Sequence, residues 1–365
     1  MSLLVLFSVF LLCLPVGASP KNGTKAVGDD PFPRFLRSHT RRYSHGSLEF
    51  ARRERLFRES IQRHIYLNSV FSSYENNSAI YGINQFSDLS PEEFKAVYLR
   101  SKAVKLPKYI SSVKTSTKET SLPAKFDWRD KNFVAPVRNQ LSVLHFLLPI
   151  YPLFWKLRVK NKLRSMGHHW FKCGGCWAFS IVGGIESVHA IKGNLLEELS
   201  VQQVIDCSYE DYGCNGGSTV SALDWLNKTQ VKLVRASEYI FKAETGICHY
   251  FPSSEFGVSI RGYEAYNFSD SEELMMAQLL DLGPLAVIVN AVSWQDYLGG
   301  IIQHHCSSGE ANHAVLITGF DRTGDVPYWI VQNSWGTTWG IDGYVYIKIG
   351  ENVCGIANTV SAALL

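Results

Sequence analysis

The sequence predicts an α+β protein whose main body has two halves. Helix-like segments at 177–193 and 201–207 come first in the body, and a third spans 272–282. Between residues 283 and 349, short runs of β-branched and aromatic residues are separated by Gly, Asp and Pro, which is typical of strands and turns. This order favours the α+β class, and a cleft between two halves is a common place for a functional site.

Composition fits a globular protein and excludes some classes of partner. The chain has 365 residues, 46% of them apolar, and a formal net charge of +3 at pH 7. That length can bury one or two substantial cores. So small a charge on so long a chain does not indicate nucleic-acid binding.

The N-terminus has the pattern of a signal peptide. An apolar centre from Leu3 to Leu14 precedes small residues, with Val16 and Ala18 placed as a cleavage site requires. The apolar run is shorter than the ~20 residues that span a bilayer. We therefore expect residues 1–18 to be removed and no membrane anchor to remain. Four glycosylation sequons agree with the secretory route; they are Asn22, Asn76, Asn227 and Asn267.

A charged helical module precedes the main body. Residues 46–68 combine many charges with apolar residues at helical spacing, which predicts one amphipathic helix. The apolar residues are Phe50, Phe57, Ile61 and Ile65. Residues 101–121 are rich in Lys, Ser and Thr and lack periodicity, as in an extended linker. The body then begins near Leu122.

The cysteine count indicates one free thiol. The chain has eight cysteines, and loss of the signal peptide would remove Cys13 and leave seven. Cysteines in an oxidising compartment tend to pair, so three disulfides and one unpaired cysteine are expected. The stretch FKCGGCWAFS contains two of them, Cys173 and Cys176.

Cys176 has the surroundings of a nucleophile. It stands in the first turn of a predicted helix, where unpaired amides and the helix dipole stabilise a thiolate. We therefore expect its pKa to lie well below ~8.5.

Two other interpretations of the Cys173 and Cys176 pair are weaker. A redox pair would follow a strand in a βαβ unit. A zinc site using His168 and His169 would need a second close pair of ligands, which the sequence lacks, so no metal or cofactor is expected.

A thiolate also needs a proton donor for the leaving group, which a fixed histidine supplies. His304 and His305 lie in a polar loop, whereas His313 enters the apolar run NHAVLITGF and is the preferred candidate. Asn333, in QNSWG, can accept a hydrogen bond from the other ring nitrogen, and Trp335 can shield that bond from water.

Five motifs together make the chain similar to the papain-like cysteine proteases. They are CGGCWAFS, ELSVQQVIDCS, GCNGG, NHAVLITGF and NSWGTTWGIDGYVYI. The resemblance implies a helical half and an antiparallel, β-barrel-like half with the active-site cleft between them. It makes Cys176 the nucleophile, His313 its acid–base partner and Asn333 the orienting residue. It makes Gln140 a donor to the oxyanion hole beside the Cys176 amide.

The same resemblance implies the disulfides and the substrate contacts. Cys173 would pair with Cys214, Cys207 with Cys248, and Cys306 with Cys354, which leaves Cys176 free. A backbone ledge that pairs with an extended peptide would consist of Asn215, Gly216 and Gly217. Ser218, Thr219 and Thr359 align with the family's pocket for the residue before the cleaved one. Trp335 and Trp339 could be core residues, but their closeness to Asn333 in sequence favours a substrate-binding role.

The charged module resembles the propeptide of this family. One helical signature is matched by Glu49, Arg53, Phe57 and Asn68, with Ser60 and His64 in place of its Asn and Ile. A second is matched by Gly82, Asn84, Phe86 and Asp88. The resemblance implies that 19–121 is an inhibitory propeptide released at acidic pH and that 122–365 is the peptidase domain. It further implies a monomeric lysosomal or exported protease that cleaves peptides and proteins, with cystatin-type inhibitors as candidate partners.

One block does not fit the family pattern. Gln140 stands 36 residues before Cys176, where the family has only a few, and residues 141–172 match no motif. We interpret this block as a spliced-in or mistranslated segment. Extending a connection from about two residues to about 32 costs only ~2.4 kcal/mol of loop closure. The fold is therefore expected to survive with folding or activity impaired. The alternative function is an inactive, protease-like protein that binds peptides.

Overall fold

The structure is a computed structural model that describes residues 30–69, 78–102, 122–140, 173–249 and 256–365. The predicted signal peptide, the sequons at Asn22 and Asn76, and residues 141–172 lie outside these ranges. Within them, every helix is too short or too polar to cross a bilayer.

The N-terminal unit extends to Arg42 and contains helix α1 (Pro31–Ser38). The Asp30 side chain accepts a hydrogen bond from the Phe32 amide at 3.1 Å. Pro31 has the fixed φ that suits the first helical position, so the local sequence accounts for the start of this helix.

The second unit begins at Tyr43 and contains the remaining described α-helices. They are α2 (Leu48–Ser69), α3 (Pro91–Tyr98), α4 (Cys176–Ile191), α5 (Val201–Cys207), α6 (Thr219–Thr229) and α7 (Glu272–Leu282). The three helices predicted for the body are confirmed as α4, α5 and α7. Side-chain oxygens of Ser200 and Ser271 cap α5 and α7, which explains why both begin where the sequence pattern places them.

The strands are mostly short. They are β1 (Ile80–Tyr81), β2 (Lys125–Asp127), β3 (Gly262–Tyr266), β4 (Leu285–Val289), β5 (Tyr297–Gly299), β6 (Ile301–Ile302), β7 (His313–Asp321), β8 (Tyr328–Gln332), β9 (Tyr344–Lys348) and β10 (Val360–Leu364). β4, β7, β8 and β9 confirm the strands predicted from β-branched and aromatic runs.

The main sheet has the strand order β3-β10-β4-β7-β8-β9-β6, with β2 paired to β7. All of these pairs are antiparallel except β6 with β9. The order is an open path, so the described strands do not close into the barrel that the resemblance suggested. The predicted class is confirmed: an α+β, two-half body that follows a helical module.

Two hydrophobic clusters form the core. One surrounds α4 and includes Trp177, Ile185 and Leu223; the other lies in the sheet and includes Val287 and Trp339. α4 is buried on nearly all sides, which explains why its sequence is apolar throughout rather than amphipathic.

α4 lies against β7, and this contact positions the site. The Ser180 hydroxyl, one turn into α4, donates to the Val315 carbonyl at 2.6 Å. A Cβ on Gly183 would lie 3.1 Å from the Leu316 side chain, closer than ordinary van der Waals contact, so glycine suits this close approach. Cys176 begins α4 and His313 begins β7, so their two elements are fixed side by side.

α2 confirms the predicted propeptide helix, but its buried face differs from the predicted apolar stripe. Ile65 is 58% exposed, whereas Ser60 and His64 are buried beside Phe57. The Ser60 hydroxyl donates to the Phe57 carbonyl at 2.7 Å, and His64 Nε2 lies 2.9 Å from Asp296 Oδ1. These hydrogen bonds satisfy both polar side chains inside the protein.

Candidate active site

The described disulfides join Cys173 to Cys214, Cys207 to Cys248 and Cys306 to Cys354. Cys176 is the free cysteine of the described residues, and it is buried. This is the pairing that the family resemblance implied. Cys173 therefore anchors the loop before α4, while Cys176 keeps its thiol.

The Cys176 thiol lies against two parts of the chain. The backbone of Ala314, next to His313, interacts with the thiol from the sheet side, and the backbones of Arg100 and Ser101 interact with it from the propeptide side. The side chain of Cys176 is 0% exposed. The backbone at Arg100 and Ser101 thus covers the sulfur directly.

Burial raises the pKa of Cys176 to about 11, and the surrounding backbone groups offset this effect only in part. The expectation of a lowered pKa is therefore wrong for this form of the protein. The helix N-terminus is present as predicted, but burial deprives the thiol of the water that would stabilise a thiolate. The thiol is held neutral.

His313 is oriented by Asn333. His313 Nε2 lies 2.8 Å from Asn333 Oδ1, and both residues are buried. The Trp335 ring stacks on the imidazole with centroids 4.7 Å apart. His313 Nδ1 is buried, and the backbone of Tyr98 interacts with the imidazole from the segment that covers the site. Burial lowers the pKa of His313 to about 4, so the imidazole is neutral as well.

Gln140 lies beside the loop that carries Cys176, although 141–172 intervenes in sequence. Its Nε2 donates to the Cys173 carbonyl at 3.0 Å, and its Oε1 accepts from the Ser334 hydroxyl at 2.7 Å. Its backbone amide donates to the Ser334 carbonyl at 2.9 Å. An amide nitrogen has two N–H groups, so one remains for another acceptor. Both flanks of the inserted block are thus held together.

The segment that carries Gln140 is tied to α4 by an ion pair with a buried carboxylate, which the sequence did not predict. Arg138 binds Glu186 through two contacts of 2.9 Å. Glu186 is 0% exposed and also accepts from the Leu199 amide at 2.7 Å. The spacing between Arg138 and Glu186 gives no local sequence signal for this pair.

The predicted ledge already holds a peptide segment, which belongs to the same chain. The Lys102 amide donates to the Gly217 carbonyl at 2.9 Å, and the Ser101 amide donates to the Asn312 carbonyl at 3.0 Å. Ser101 and Gly217 form a parallel bridge. A Cβ on Gly216 would lie 2.0 Å from the Arg100 carbonyl, so glycine is required for this close approach. Arg100 also donates to Asn215 at 3.1 Å.

The start of the predicted linker is therefore structured at Ser101 and Lys102. Residues 103–121 lie outside the described residues. The segment 99–102 is named the covering segment here.

Propeptide aromatics cover the tryptophan beside His313. Phe86, Phe94 and Tyr98 meet the Trp335 ring edge-on, with centroids 5.5, 5.3 and 5.8 Å away. Trp335 and Trp339 are both fully buried and pack edge to face. The two tryptophans predicted as substrate contacts therefore form a wall of the site, which the propeptide occupies in this form.

The propeptide signatures hold this covering module together. Arg53 binds Glu49 at 2.7 Å and Glu93 at 2.8 Å, and it donates to the Asp88 carbonyl at 2.8 Å. Asn68 exchanges two hydrogen bonds with the Tyr81 backbone, at 2.7 and 3.0 Å. The charges that made this helix look separate thus tie α2 to α3 and to the chain between them.

The propeptide also binds the body through Asp296. Arg63 donates to Asp296 at 3.0 Å, and His64 contacts the same carboxylate. These partners hold the pKa of Asp296 below its ordinary value despite its burial. Asn84 donates to the Gln295 carbonyl at 2.8 Å, so the second signature reaches the same body segment.

The remaining predicted residues have varied surroundings. Ser218 and Thr219 are buried beside the ledge, and their hydroxyls have no hydrogen-bond partner within the described ranges. Thr359 is buried, and its carbonyl accepts from the Ile288 amide, a contact within the sheet. His304 and His305 are half-buried and line a cavity of about 500 Å³ with Tyr66, so they are not simply solvated loop residues.

The free Cys176 thiol is buried against the backbone of Ala314, the residue after a histidine that Asn333 orients, and residues 100 and 101 cover it. This arrangement defines a cysteine peptidase folded with an inhibitory segment in place. Comparison with known proteins supports this class of protein. A model described as papain family cysteine protease matches residues 153–364, and one described as cathepsin propeptide inhibitor domain matches residues 32–94. The chain belongs to the papain family of cysteine proteases and is the zymogen of a cysteine peptidase.

Two relatives are similar over most of the chain. Cathepsin O of Homo sapiens is 62% identical over 306 residues, covering 84% of this chain and 86% of that protein. Cathepsin O of Mus musculus is 55% identical over 308 residues, covering 84% and 88%. Among solved structures, procathepsin L2 proteinase from Tenebrio molitor larval midgut matches with a TM-score of 0.74 and 28% identity, covering 92% of this chain and 98% of that chain.

Proposed function

We propose that the chain hydrolyses peptide bonds through Cys176 and His313, with Asn333 as orienting residue and Gln140 as an oxyanion donor. The observation that supports this most strongly is the free Cys176 thiol next to Ala314, with His313 held by Asn333 at 2.8 Å. The disulfides use the other described cysteines, so no other described thiol can serve as nucleophile.

The reaction would begin with transfer of the Cys176 proton to His313 Nδ1. The thiolate attacks the peptide carbonyl carbon, and the oxyanion accepts hydrogen bonds from the Cys176 amide and the second N–H of Gln140. The imidazolium protonates the leaving amine as the C–N bond breaks, which leaves an acyl-enzyme. Water then attacks with its proton passing to His313, and the thiol is restored.

In the form described here, the proposed enzyme is latent. The neutral thiol and neutral imidazole are those of an inactive pair, and the covering segment occupies the ledge. Protonation of Asp296 would weaken its bonds to Arg63 and His64. Because the pKa of Asp296 is lowered in the docked state, its contribution is present near neutral pH and is lost as pH falls through that lowered value. Because this contribution is lost in acid, we expect residues 19–121 to be released at acidic pH.

We expect the released enzyme to be a monomer that starts near Leu122 and acts on proteins and peptides in lysosomes or outside the cell. Cystatin-type inhibitors are proposed partners. Asn267 is the better placed of the two described sequons, since it is exposed and its Oδ1 accepts from the Ser269 amide at 2.9 Å. Asn227 is half-buried in the last turn of α6.

The alternative is a peptide-binding protein that does not cut, and a peptidyl electrophile distinguishes the two. After acid treatment, we expect a peptidyl epoxide to add one adduct at Cys176, and His313→Ala to slow this addition by at least about 100-fold. His304→Ala is the matched control and should react like the wild type. A folded, acid-treated protein that binds peptides but gains no adduct would support the inactive binder.

Residues 141–172 give a separate prediction. Because Gln140 remains bonded to Cys173 and Ser334, we expect the full chain to cleave peptides at a kcat reduced by no more than ~10²–10³, the effect of losing one oxyanion donor. A variant that retains only Phe171 and Lys172 of this block should show the full rate. Equal kcat values for the two proteins would show that the block does not disturb Gln140.

A further inference from the structure

Asp211 is a carboxylate that the hydrolytic steps leave unused, and it lies directly behind the ledge. Its Oδ1 accepts a hydrogen bond from the Ser218 amide at 2.8 Å, and its Oδ2 accepts one from the Ser208 hydroxyl at 2.7 Å. A Cβ on Gly217 would lie 2.7 Å from the same Oδ1. The Trp177 ring lies 2.6 Å from the same Cβ position, so the carboxylate and this ring together fill the space that glycine leaves open.

The hydrogen bond from the Ser218 amide to Asp211 fixes the turn that joins the ledge to α6. Ser218 is the N-cap residue of α6, so its amide lies outside the bonds of the helix, and the residue is 1% exposed. A buried amide without an acceptor is costly. Asp211 supplies that acceptor and so fixes the turn from Gly217 into α6.

We propose that Asp211 is a positioning residue that holds residues 216–218 in their peptide-binding conformation and thereby sets the KM for extended peptides. The inference rests on the proposed function, because it takes the ledge as the substrate surface. Asp211 does not touch the reacting atoms. It acts through the Ser218 amide on Gly217, whose carbonyl accepts from Lys102 in the latent form and would accept from a substrate amide after activation.

The burial of Asp211 and the charges around it should make the KM for extended peptides depend on pH. Burial raises the pKa of Asp211 to about 6, and Glu210 adds to the shift. Glu210 is itself paired with Lys228 at 3.2 Å. The other cations beside this loop are Lys102, 4.7 Å from the Tyr212 ring centre, and Arg100, bonded to Asn215. Both lie in the covering segment and would leave with the propeptide.

The raised pKa of Asp211 sets the direction in which pH changes the stability of the ledge. The ordered loop favours the protonated carboxyl, so its stability is greatest in acid and falls as pH rises through about 6. Below that pH the protonated group can still accept from Ser218 while it donates to Ser208. Above it, the poorly solvated carboxylate should draw in water and loosen residues 208–218. The KM should therefore rise between pH 5.5 and pH 7.

The experiment compares three variants of the full chain after acid activation. Asp211→Ala removes the acceptor, Asp211→Asn keeps it without a charge, and Glu210→Gln is the matched control that removes the neighbouring exposed charge. We expect Asp211→Ala to raise KM about tenfold at pH 5.5 with kcat changed less than twofold. Asp211→Asn should keep the wild-type KM at pH 5.5 and lose its rise at pH 7.

Hydrogen exchange of the Ser218 amide in the zymogen provides a readout that needs no activity. Exchange should be fast in Asp211→Ala and slow in the wild type, Asp211→Asn and Glu210→Gln. If Asp211→Ala changes neither exchange nor KM more than Glu210→Gln does, the inference is wrong. If the wild type cleaves no peptide while the exchange pattern holds, the proposed function fails and the positioning role of Asp211 stands.

Discussion

Replacement of Cys176 by alanine is expected to reduce peptide hydrolysis by on the order of 10⁶, the scale seen when a protease nucleophile is removed. The described disulfides use the remaining described cysteines, so no other described thiol can take over. The measurement is kcat on a fluorogenic peptide after acid activation. Alanine fits the buried space of the thiol, so the fold and the propeptide contacts should be kept.

The control for this result is the double variant with His313→Ala. If Cys176 and His313 act as one unit, the double variant should be no slower than Cys176→Ala alone, since the effects of such groups are not additive. A Cys176→Ala protein that keeps more than about 1% of the wild-type kcat would contradict the assignment of the nucleophile.

Replacement of Arg138 by methionine is expected to lower the free energy of unfolding by about 3–5 kcal/mol at pH 7, because it leaves a buried carboxylate unpaired. Glu186 is 0% exposed, and burial already raises its pKa, an effect that Arg138 opposes. Without Arg138 the pKa of Glu186 should rise further. A raised carboxyl pKa makes the folded state less stable as pH rises. The loss of unfolding free energy caused by Arg138→Met should therefore be smaller at pH 4.5 than at pH 7.

Chemical unfolding midpoints at the two pH values measure this effect. Lys228→Met, which removes an exposed cation paired with Glu210 and Asp224, is the matched control and should cost less than about 1 kcal/mol. Adding Glu186→Gln to Arg138→Met should restore much of the stability, since it removes the unpaired buried charge and keeps an acceptor for the Leu199 amide. An Arg138→Met protein no less stable than Lys228→Met would contradict the role given to this pair.

Much of the fold followed from local sequence pattern. α5 and α7 have the predicted bounds because each begins at a capped, periodic segment that packing then preserves. The proposal that Cys176 and His313 act together depends on positions that a sequence pattern can predict, since one begins a helix and the other begins a strand. Asn333 followed from the chemistry that a histidine needs.

The features that the sequence did not predict depend on burial between distant parts of the chain. Ser60 and His64 lie on the buried face of α2 because partners far away in sequence, such as Asp296, satisfy His64. Burial raises the pKa of Cys176, and the backbone groups of Arg100 and Ser101 oppose that rise only in part; no pattern around Cys176 reveals either effect. Arg138 and Asp211 act through neighbours that only the folded chain brings close.

The pH profile for alkylation of Cys176 by a small neutral reagent tests the central claim most directly. In the zymogen, the rate should increase with pH towards the raised pKa of about 11, because burial holds the thiol neutral. After the propeptide is removed, Cys176 should react rapidly at pH 5–6, and His313→Ala should abolish that reactivity. A profile that is the same before and after propeptide removal would contradict the account.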